Sequence, residues 1–470
     1  MAINKNTMSR KGGTTTRTSP DQGQGFGFGS PVPGILVAHA PEDSVTVDRC
    51  LVSASFILGR SSECDLCVRH HKVSKRHFRI TRNKSGFYIE DLGSTNGTYV
   101  NGTALVSKRP LSDGDIIRAG SAVLVFHSSC AELLEAPAGH RYDIAGRFHA
   151  AVLIKKLEEA SLSSRHILLA GPTGTGKELA ANVLAWLMGE SASPLSILSH
   201  NCARFASKEE ASVTLFGVAA RVFSNVDARK GLIEQSHGNA LFLDEVHNLP
   251  LRVQKALLRV IEDGETARIG ETKTRPAQVR FIMASNAPGP DFSLAHDLLA
   301  RLRVVEIPSL SLRRADIPSI FDYIIKSSTS KRKMDISETL SLMSGDHYEA
   351  MCLDGFESDN VRGLVDLADK LITRINAGTP GEKAVATVFA ERFGHGPVSL
   401  RYSAEGNEAS SSSGYDRHKN QIIAACTECG GNLSATERLL KKQGIQCSRR
   451  WLMVYLEKWG VRVSKQPANT

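Results

Sequence analysis

The sequence predicts a multidomain chain with three fold classes in succession: an all-β sandwich, an α/β core with a helical lid, and a small all-α unit. Three observations carry this. Between about residues 36 and 130, short β-type runs (SASFILGR, FRIT, GFYIED, GTYVNG, DIIRAG, AVLVF) alternate with turn signals, the pattern of a sandwich. From about 140 to 310, apolar runs (HILLA, ALFLDE, VRFIMAS, VVEI) alternate with helical stretches such as KELAANVLAWLMG and RVQKALLRVIEDG, the pattern of a parallel sheet. The closing segment is helical in pattern and basic.

The boundaries follow from composition. Residues 1–33 are rich in Gly, Ser, Thr and Lys/Arg with little apolar patterning, and read as a disordered arm. The sandwich occupies 36–130, the α/β subdomain 140–310 and the helical lid 311–376. Residues 377–414, ending EGNEASSSSG, read as a linker, and 415–470 as the C-terminal unit. The 41% hydrophobic and 23% charged content is an ordinary globular balance that excludes collagen-like, coiled-coil and disordered classes. No run approaches the ~18–20 apolar residues of a membrane helix, and MAINKNTMSRKGG lacks the apolar core of a signal peptide. The nine cysteines are scattered, as in reduced thiols. The expectation is a soluble cytoplasmic protein without a membrane partner. Of the net charge of +9, the segment Tyr415–Thr470 holds +6, with ten Lys/Arg against four Asp/Glu. A positive field concentrated at one end points to a polyanion, with a solvated, lysine-rich tail as the alternative.

HILLAGPTGTGKELAANVL reads as a buried strand, a glycine-rich turn and an amphipathic helix. Gly171, Gly174 and Gly176, with Thr175 between them, permit the tight backbone that aims amides at phosphate. Lys177 reaches the outer phosphates, and the following helix turns its positive end toward them. Glu178 stands where a hydroxyl residue commonly follows the lysine. Downstream, ALFLDE leads to Asp244 and Glu245, a pair suited to hold Mg²⁺ (Asp244) and to polarise an attacking water (Glu245). The cofactors expected are ATP and Mg²⁺.

GPTGTGKE, HNCAR, LFG, GNALFLDEVHNLPLRVQKALLRVIEDG, VRFIMASN and DNVRGL together resemble the AAA+ core of sigma-54-dependent activators over about residues 140–375. That family also carries Glu after the loop lysine, so Glu178 agrees with the resemblance. The resemblance implies an ATPase. It further implies that Asn201 restrains Glu245 in a nucleotide-sensing switch, that Asn286 senses the γ-phosphate, and that Arg362 is a second sensor in the lid. Arg301 matches an arginine that a neighbouring subunit inserts, which implies a homo-oligomer, from dimer to hexameric ring. Two departures stand out. The family's GAFTGA loop is replaced after LFG by Arg221-Val222-Phe223-Ser224-Asn225-Val226, and the family's earlier arginine falls on Ala295.

LGRSSECDL, VSKRHFRI and DLGSTNGTYVNG, in that order within a β pattern, resemble the forkhead-associated (FHA) domain. A phosphothreonine presents about −2 charge and three acceptor oxygens. Arg60 suits a charge-assisted fork to it, Ser74 a hydroxyl donation, and Lys75 a further cation. Thr95 and Asn96 lie on a turn beside them, and His77 is in that family a structural hydrogen-bonder. The resemblance implies a phosphothreonine-containing protein partner.

IIAACTECGGNLSATERLLKKQGIQCSRRWLMVYLEKWG punctuates as helix, turn, helix and resembles the Fis-type helix-turn-helix. Gly430-Gly431 break one helix, Asn432 caps the next, Gly444 turns, and Ser448 caps the last. Ser448, Arg449 and Arg450 would open the recognition helix and meet DNA. The pairs Cys64/Cys67 and Cys426/Cys429, and His70-His71, lack the further ligands of a zinc site and read as packing or loop residues. Two functions remain from the sequence. One is a regulator of the sigma-54-activator type, controlled through a phosphothreonine partner and acting on sigma-54 RNA polymerase. The other is an ATP-binding, DNA-bound regulator or scaffold that no longer remodels that polymerase, because GAFTGA is replaced.

Overall fold

A computed structural model describes residues 32–135, 142–189, 194–220, 227–286, 294–332, 340–394, 419–429 and 433–442, with Leu452 and Leu456. The first eleven strands form a sandwich of two sheets. They are β1 (Gly34–His39), β2 (Arg49–Leu51), β3 (Ser55–Gly59), β4 (Leu66–Cys67), β5 (Phe78–Asn83) and β6 (Gly86–Asp91). Then come β7 (Thr98–Val100), β8 (Thr103–Ala104), β9 (Arg109–Leu111), β10 (Ile116–Ala119) and β11 (Ala122–His127). One sheet runs β2-β1-β11-β10-β7-β8, the other β4-β3-β5-β6-β9. Alternation puts Phe56, Leu58, Phe78, Ile80 and Ile89 on the inner face of the second sheet, against Ile35, Val37, Ile117, Leu124 and Phe126 of the first.

The strands of the first sheet do not alternate outward to polar residues. GILVAH, IIRA and AVLVFH are buried almost throughout. The outer face of that sheet is covered: Leu36, Ala38, Ile116, Val123 and Val125 share one core with Leu310, Ile317, Ile320, Phe321, Tyr348 and Met351. A sheet buried on both faces reads as continuous apolar runs, and here the second cover is the helical lid.

After α1 (Ala131–Glu135) and α2 (His149–Ser161) comes the α/β core: β12 (His166–Ala170), α3 (Lys177–Met188), β13 (Ile197–Asn201) and α4 (Lys208–Phe216). Two short strands, β14 (Gly217–Val218) and β15 (Arg229–Lys230), pair as a ribbon flanking 221–226, which lie outside the described residues. The core continues with α5 (Leu232–Gln235), β16 (Ala240–Asp244), α6 (Leu251–Asp263), the ribbon β17 (Glu265–Ala267) and β18 (Thr274–Pro276), β19 (Arg280–Ser285), α7 (His296–Ala300) and β20 (Leu302–Glu306). The sheet β13-β16-β19-β12-β20 is entirely parallel. Ligands of such sheets sit beyond the carboxyl ends of the strands, where Ala170, Asp244 and Ser285 end theirs.

The lid comprises α8 (Ile317–Arg332), α9 (Gly345–Asp354), α10 (Val361–Asn376) and α11 (Gly381–Phe393). The expectation of a linker over 377–414 does not hold for Gly381–Phe393, which form α11. Gly378, at φ 81°, and Pro380, at the N-cap, close α10 and start α11 rather than ending the fold. Ala384, Val385, Val388 and Phe389 then bury one face of α11 in the lid core. Gly and Pro are linker signals, but the helical spacing of those four residues outweighs them. At the C-terminus, α12 (Lys419–Glu428) and α13 (Leu433–Lys442) pack Ile422, Ala425, Cys426 and Leu440 together with Leu452 and Leu456. Among the described residues no helix is long and apolar enough to cross a membrane.

Candidate functional site

The glycine-rich turn leaves β12 and enters α3 with Gly174 at φ 80° and Gly176 at φ 100°, both in the left-handed region that suits glycine. Two of the glycines also make room. A Cβ on Gly171 would stand 2.4 Å from the carbonyl oxygen of Ile307, and one on Gly174 2.5 Å from that of Asp359. Lys177 is buried at the first position of α3, and its Nζ donates to the carbonyls of Gly171 (2.8 Å) and Pro172 (2.9 Å). Burial pushes the Lys177 ammonium below its ordinary pKa and Arg362 adds to this, while Asp244 and Glu245 work against it. One lysine therefore shares its electrostatic surroundings with the acidic pair on β16 and with Arg362 on α10. Thr175 turns its hydroxyl back to the Pro172 carbonyl at 2.9 Å. Glu178, in the first turn of α3, carries favourable negative charge at a helix N-terminus.

Asn286, just past β19, donates from Nδ2 to the Thr173 hydroxyl at 2.9 Å, so this residue touches the tip of the loop. Asn201, at the end of β13, donates to Asp244 Oδ2 at 3.3 Å. In this structure the Asn201 amide thus meets Asp244, not the Glu245 carboxylate that the resemblance implied. Register explains it: β13 and β16 run parallel with Asn201 directly opposite Asp244. Glu245 leaves the strand in the left-handed region, at φ 51° and ψ 41°. Its Oε2 accepts from Asn248 Nδ2 at 3.4 Å, and His247 beside it contacts Ser285 Oγ at 3.2 Å. His247 and Asn248 were not anticipated; their position directly after LFLDE is the one signal that marks them.

Arg301 makes none of the hydrogen bonds described above. It caps α7, is 59% exposed and pairs with Glu262 of α6 at 2.9 Å. Ala295 is the N-cap of the same helix, its N–H donating to Gln254 Oε1 at 2.7 Å.

The sandwich gathers its own candidates at one end. Ser74 Oγ accepts from the Thr95 N–H at 3.0 Å and lies 3.4 Å from the Thr95 hydroxyl. Asn96 Nδ2 donates to the Lys72 carbonyl at 2.9 Å, which ties the two loops together. Arg60 N–H donates to the Ser74 carbonyl at 2.8 Å, leaving its guanidinium exposed. Lys75 is exposed on the adjoining loop. A Cβ on Gly59 would meet the Lys75 carbonyl at 2.2 Å, so only glycine lets these loops approach so closely. His77 is fully buried beneath them; its Nδ1 accepts from the Ser74 N–H at 3.0 Å, so Nε2 carries the proton toward the Gly97 carbonyl at 3.2 Å. Burial lowers its pKa, which keeps that neutral tautomer. Ser448, Arg449 and Arg450 lie outside the described residues.

Family matches fall on both regions of the chain. Residues 145–308 match the sigma-54 interaction domain family, and residues 56–120 match the FHA domain family. The transcriptional activator RocR of Bacillus subtilis is 35% identical over 190 residues, covering 39% of this chain and 41% of RocR. The transcriptional regulatory protein ZraR of Salmonella typhimurium is 28% identical over 299 residues, covering 61% of this chain and 63% of ZraR. The chain thus spans less than two thirds of the length of either relative. The crystal structure of NtrX from Brucella abortus in complex with ATP aligns with a TM-score of 0.42 at 24% identity, over 66% of this chain and 67% of that one. One chain thus carries a segment, 145–308, similar to the sigma-54 interaction domain family and another, 56–120, similar to the FHA domain family, and its relatives RocR and ZraR are named as transcriptional regulators.

Proposed function

We propose that the chain is a transcription regulator in which ATP binding and hydrolysis by the α/β core is controlled through a phosphothreonine-containing partner docked on the FHA domain. The observation that carries this reading is the meeting of Lys177, Asp244, Glu245 and Asn286 around one glycine loop, inside the segment that matches the sigma-54 interaction domain, with Arg362 of the lid beside Gly174.

Lys177 and the amides at the start of α3 would hold the phosphates. Asp244 would carry Mg²⁺, which neutralises charge on the transferring phosphoryl group when bound. Glu245, steadied by Asn248, would orient the attacking water, and Asn201 would orient Asp244. Arg301, exposed and remote from the loop's own partners, suits insertion into a neighbouring subunit's site and hence a homo-oligomeric ring. Arg60, Ser74, Lys75, Thr95 and Asn96 would take the phosphothreonine. The packing of the FHA sheet on the lid supplies a route from that partner to the nucleotide site. The basic C-terminal segment, with Ser448, Arg449 and Arg450, would hold duplex DNA.

The second reading, an ATP-binding, DNA-bound scaffold that does not remodel sigma-54 polymerase, is favoured by Arg221–Val226 in place of GAFTGA. One experiment separates the two. Purified chain is titrated with ATP-Mg²⁺ and assayed for open-complex formation by sigma-54 polymerase, beside Lys177→Ala. ATP-dependent open complexes lost in Lys177→Ala support the first reading. ATPase activity without open complexes supports the second. No ATP binding by the wild type rejects both.

A further inference from the structure

Three consecutive carbonyls of the phosphate loop accept hydrogen bonds from the lid side of the molecule. Asn360 Nδ2 donates to the Thr173 carbonyl at 3.0 Å. The Val361 N–H donates to the Gly174 carbonyl at 3.0 Å. Arg313 donates from its guanidinium to the Thr175 carbonyl at 3.2 Å. In a trans peptide the C=O and the following N–H lie in one plane and point in opposite directions. Holding these three oxygens toward the lid therefore turns the amides of Gly174, Thr175 and Gly176 away from it, as a run of donors suited to an anion.

Asn360 is shaped for this task. It is buried, and its backbone sits at φ 51° and ψ −134°, a conformation natural to glycine and strained for any other residue. Its carboxamide spans two elements: Nδ2 reaches Thr173, while Oδ1 accepts from the Leu310 N–H at 2.9 Å, where β20 leads into the lid. Glycine would relieve the strain and lose the bridge. Arg313 is likewise buried, its guanidinium directed at the loop rather than at solvent.

We propose that Asn360 and Arg313 are positioning residues that preform the phosphate-binding amides of residues 174–176 by clamping the loop carbonyls from the lid. This rests on the reading of the loop as an ATP site. Neither side chain touches the phosphates in this scheme; both act through the loop backbone.

The test uses the full chain, with ATP and ADP binding followed by calorimetry and hydrolysis by steady-state kinetics. Asn360→Gly is the decisive variant, because its backbone suits the site and the fold is retained. The expected result is an ATP and ADP dissociation constant raised about tenfold, the scale of one or two lost hydrogen bonds. KM rises in step, kcat changes less, and the urea midpoint does not fall. Arg313→Met shows the same split, and Arg313→Lys recovers part of the affinity. Asn360→Gly binding nucleotide as tightly as the wild type overturns the proposal while leaving the ATP reading intact. So does a fall in its urea midpoint that accounts for the lost affinity. A wild type that binds neither nucleotide overturns both.

Discussion

Arg118 of the FHA sheet and Glu349 of the lid form a buried ion pair, Nε to Oε2 at 2.6 Å, with the two side chains 9% and 0% exposed. Arg118 also reaches Asp346 at 3.1 Å and lies 3.9 Å from the centre of the Tyr99 ring. Close by, His39 stacks on Tyr348 at 3.6 Å. Burial pushes the Glu349 carboxyl above its ordinary range, and the Arg118 charge works against that push. The β-sandwich and the lid therefore share a core and a desolvated charge contact.

Removing one partner leaves the other charged and buried. Arg118→Met is expected to cost about 3–5 kcal/mol in urea denaturation, and Arg118→Met with Glu349→Leu to recover most of it. A cost near zero for the single change would mean that the pair is solvated and the docking loose.

Arg60 is exposed, so Arg60→Ala should leave the thermal midpoint within a degree or two, as surface changes usually do. The same change should lower affinity for a phosphothreonine peptide at least about tenfold by removing a charge-assisted fork. Fluorescence anisotropy with phosphorylated and unphosphorylated peptides checks this; equal binding of both by the wild type would leave the FHA domain a packing module.

Arg301 pairs with Glu262 on the surface, and such pairs contribute about 0–1 kcal/mol. Arg301→Ala should therefore fold normally and bind ATP normally, yet lose at least about 10³-fold in hydrolysis, the scale of a trans-acting arginine. Mixing it with Lys177→Ala should restore some activity, because each subunit supplies what the other lacks. Failure of such mixing would place Arg301 outside the catalytic interface.

Asp316 is fully buried and accepts from Phe148 N–H (2.6 Å), His149 N–H (3.0 Å) and His149 Nδ1 (2.8 Å). Burial opposes its ionisation, but the His149 contact and the two backbone donors hold its pKa below the ordinary carboxylate value. A depressed carboxylate stabilises the fold fully above its unfolded pKa, about 4, and that contribution is lost as pH falls through the folded value. The urea midpoint should drop from pH 5 to pH 3, and Asp316→Asn should start lower but fall less over the same interval. Parallel slopes would assign the acid sensitivity to other groups.

Much of the candidate site was legible in the sequence, because a glycine-rich turn depends on local geometry. Gly171, Gly174, Gly176 and Lys177 lie within seven consecutive residues, and a strand, a turn and a helix suffice to place them. Asp244 and Glu245 are marked in the same way by the apolar run before them. The FHA loops were legible through Arg60, Ser74, Thr95 and Asn96, each on a turn between recognisable strands. The partner of Asn201 was not legible, since parallel register between β13 and β16 decides that it faces Asp244.

What the chain determined alone were its local devices: glycines where the backbone needs positive φ, apolar runs where strands are buried, and charge where anions are expected. Tertiary structure decided which distant groups meet. Arg118 and Glu349 are separated by 231 residues, and Asn360 and Thr173 by 187; no periodicity or spacing encodes such pairs. Strands β1, β10 and β11 carry the physical reason in their own composition. They are apolar on both faces, but which surface covers the second face depends on the docking of the lid, and docking is settled by complementary shape and the pairing of buried charge.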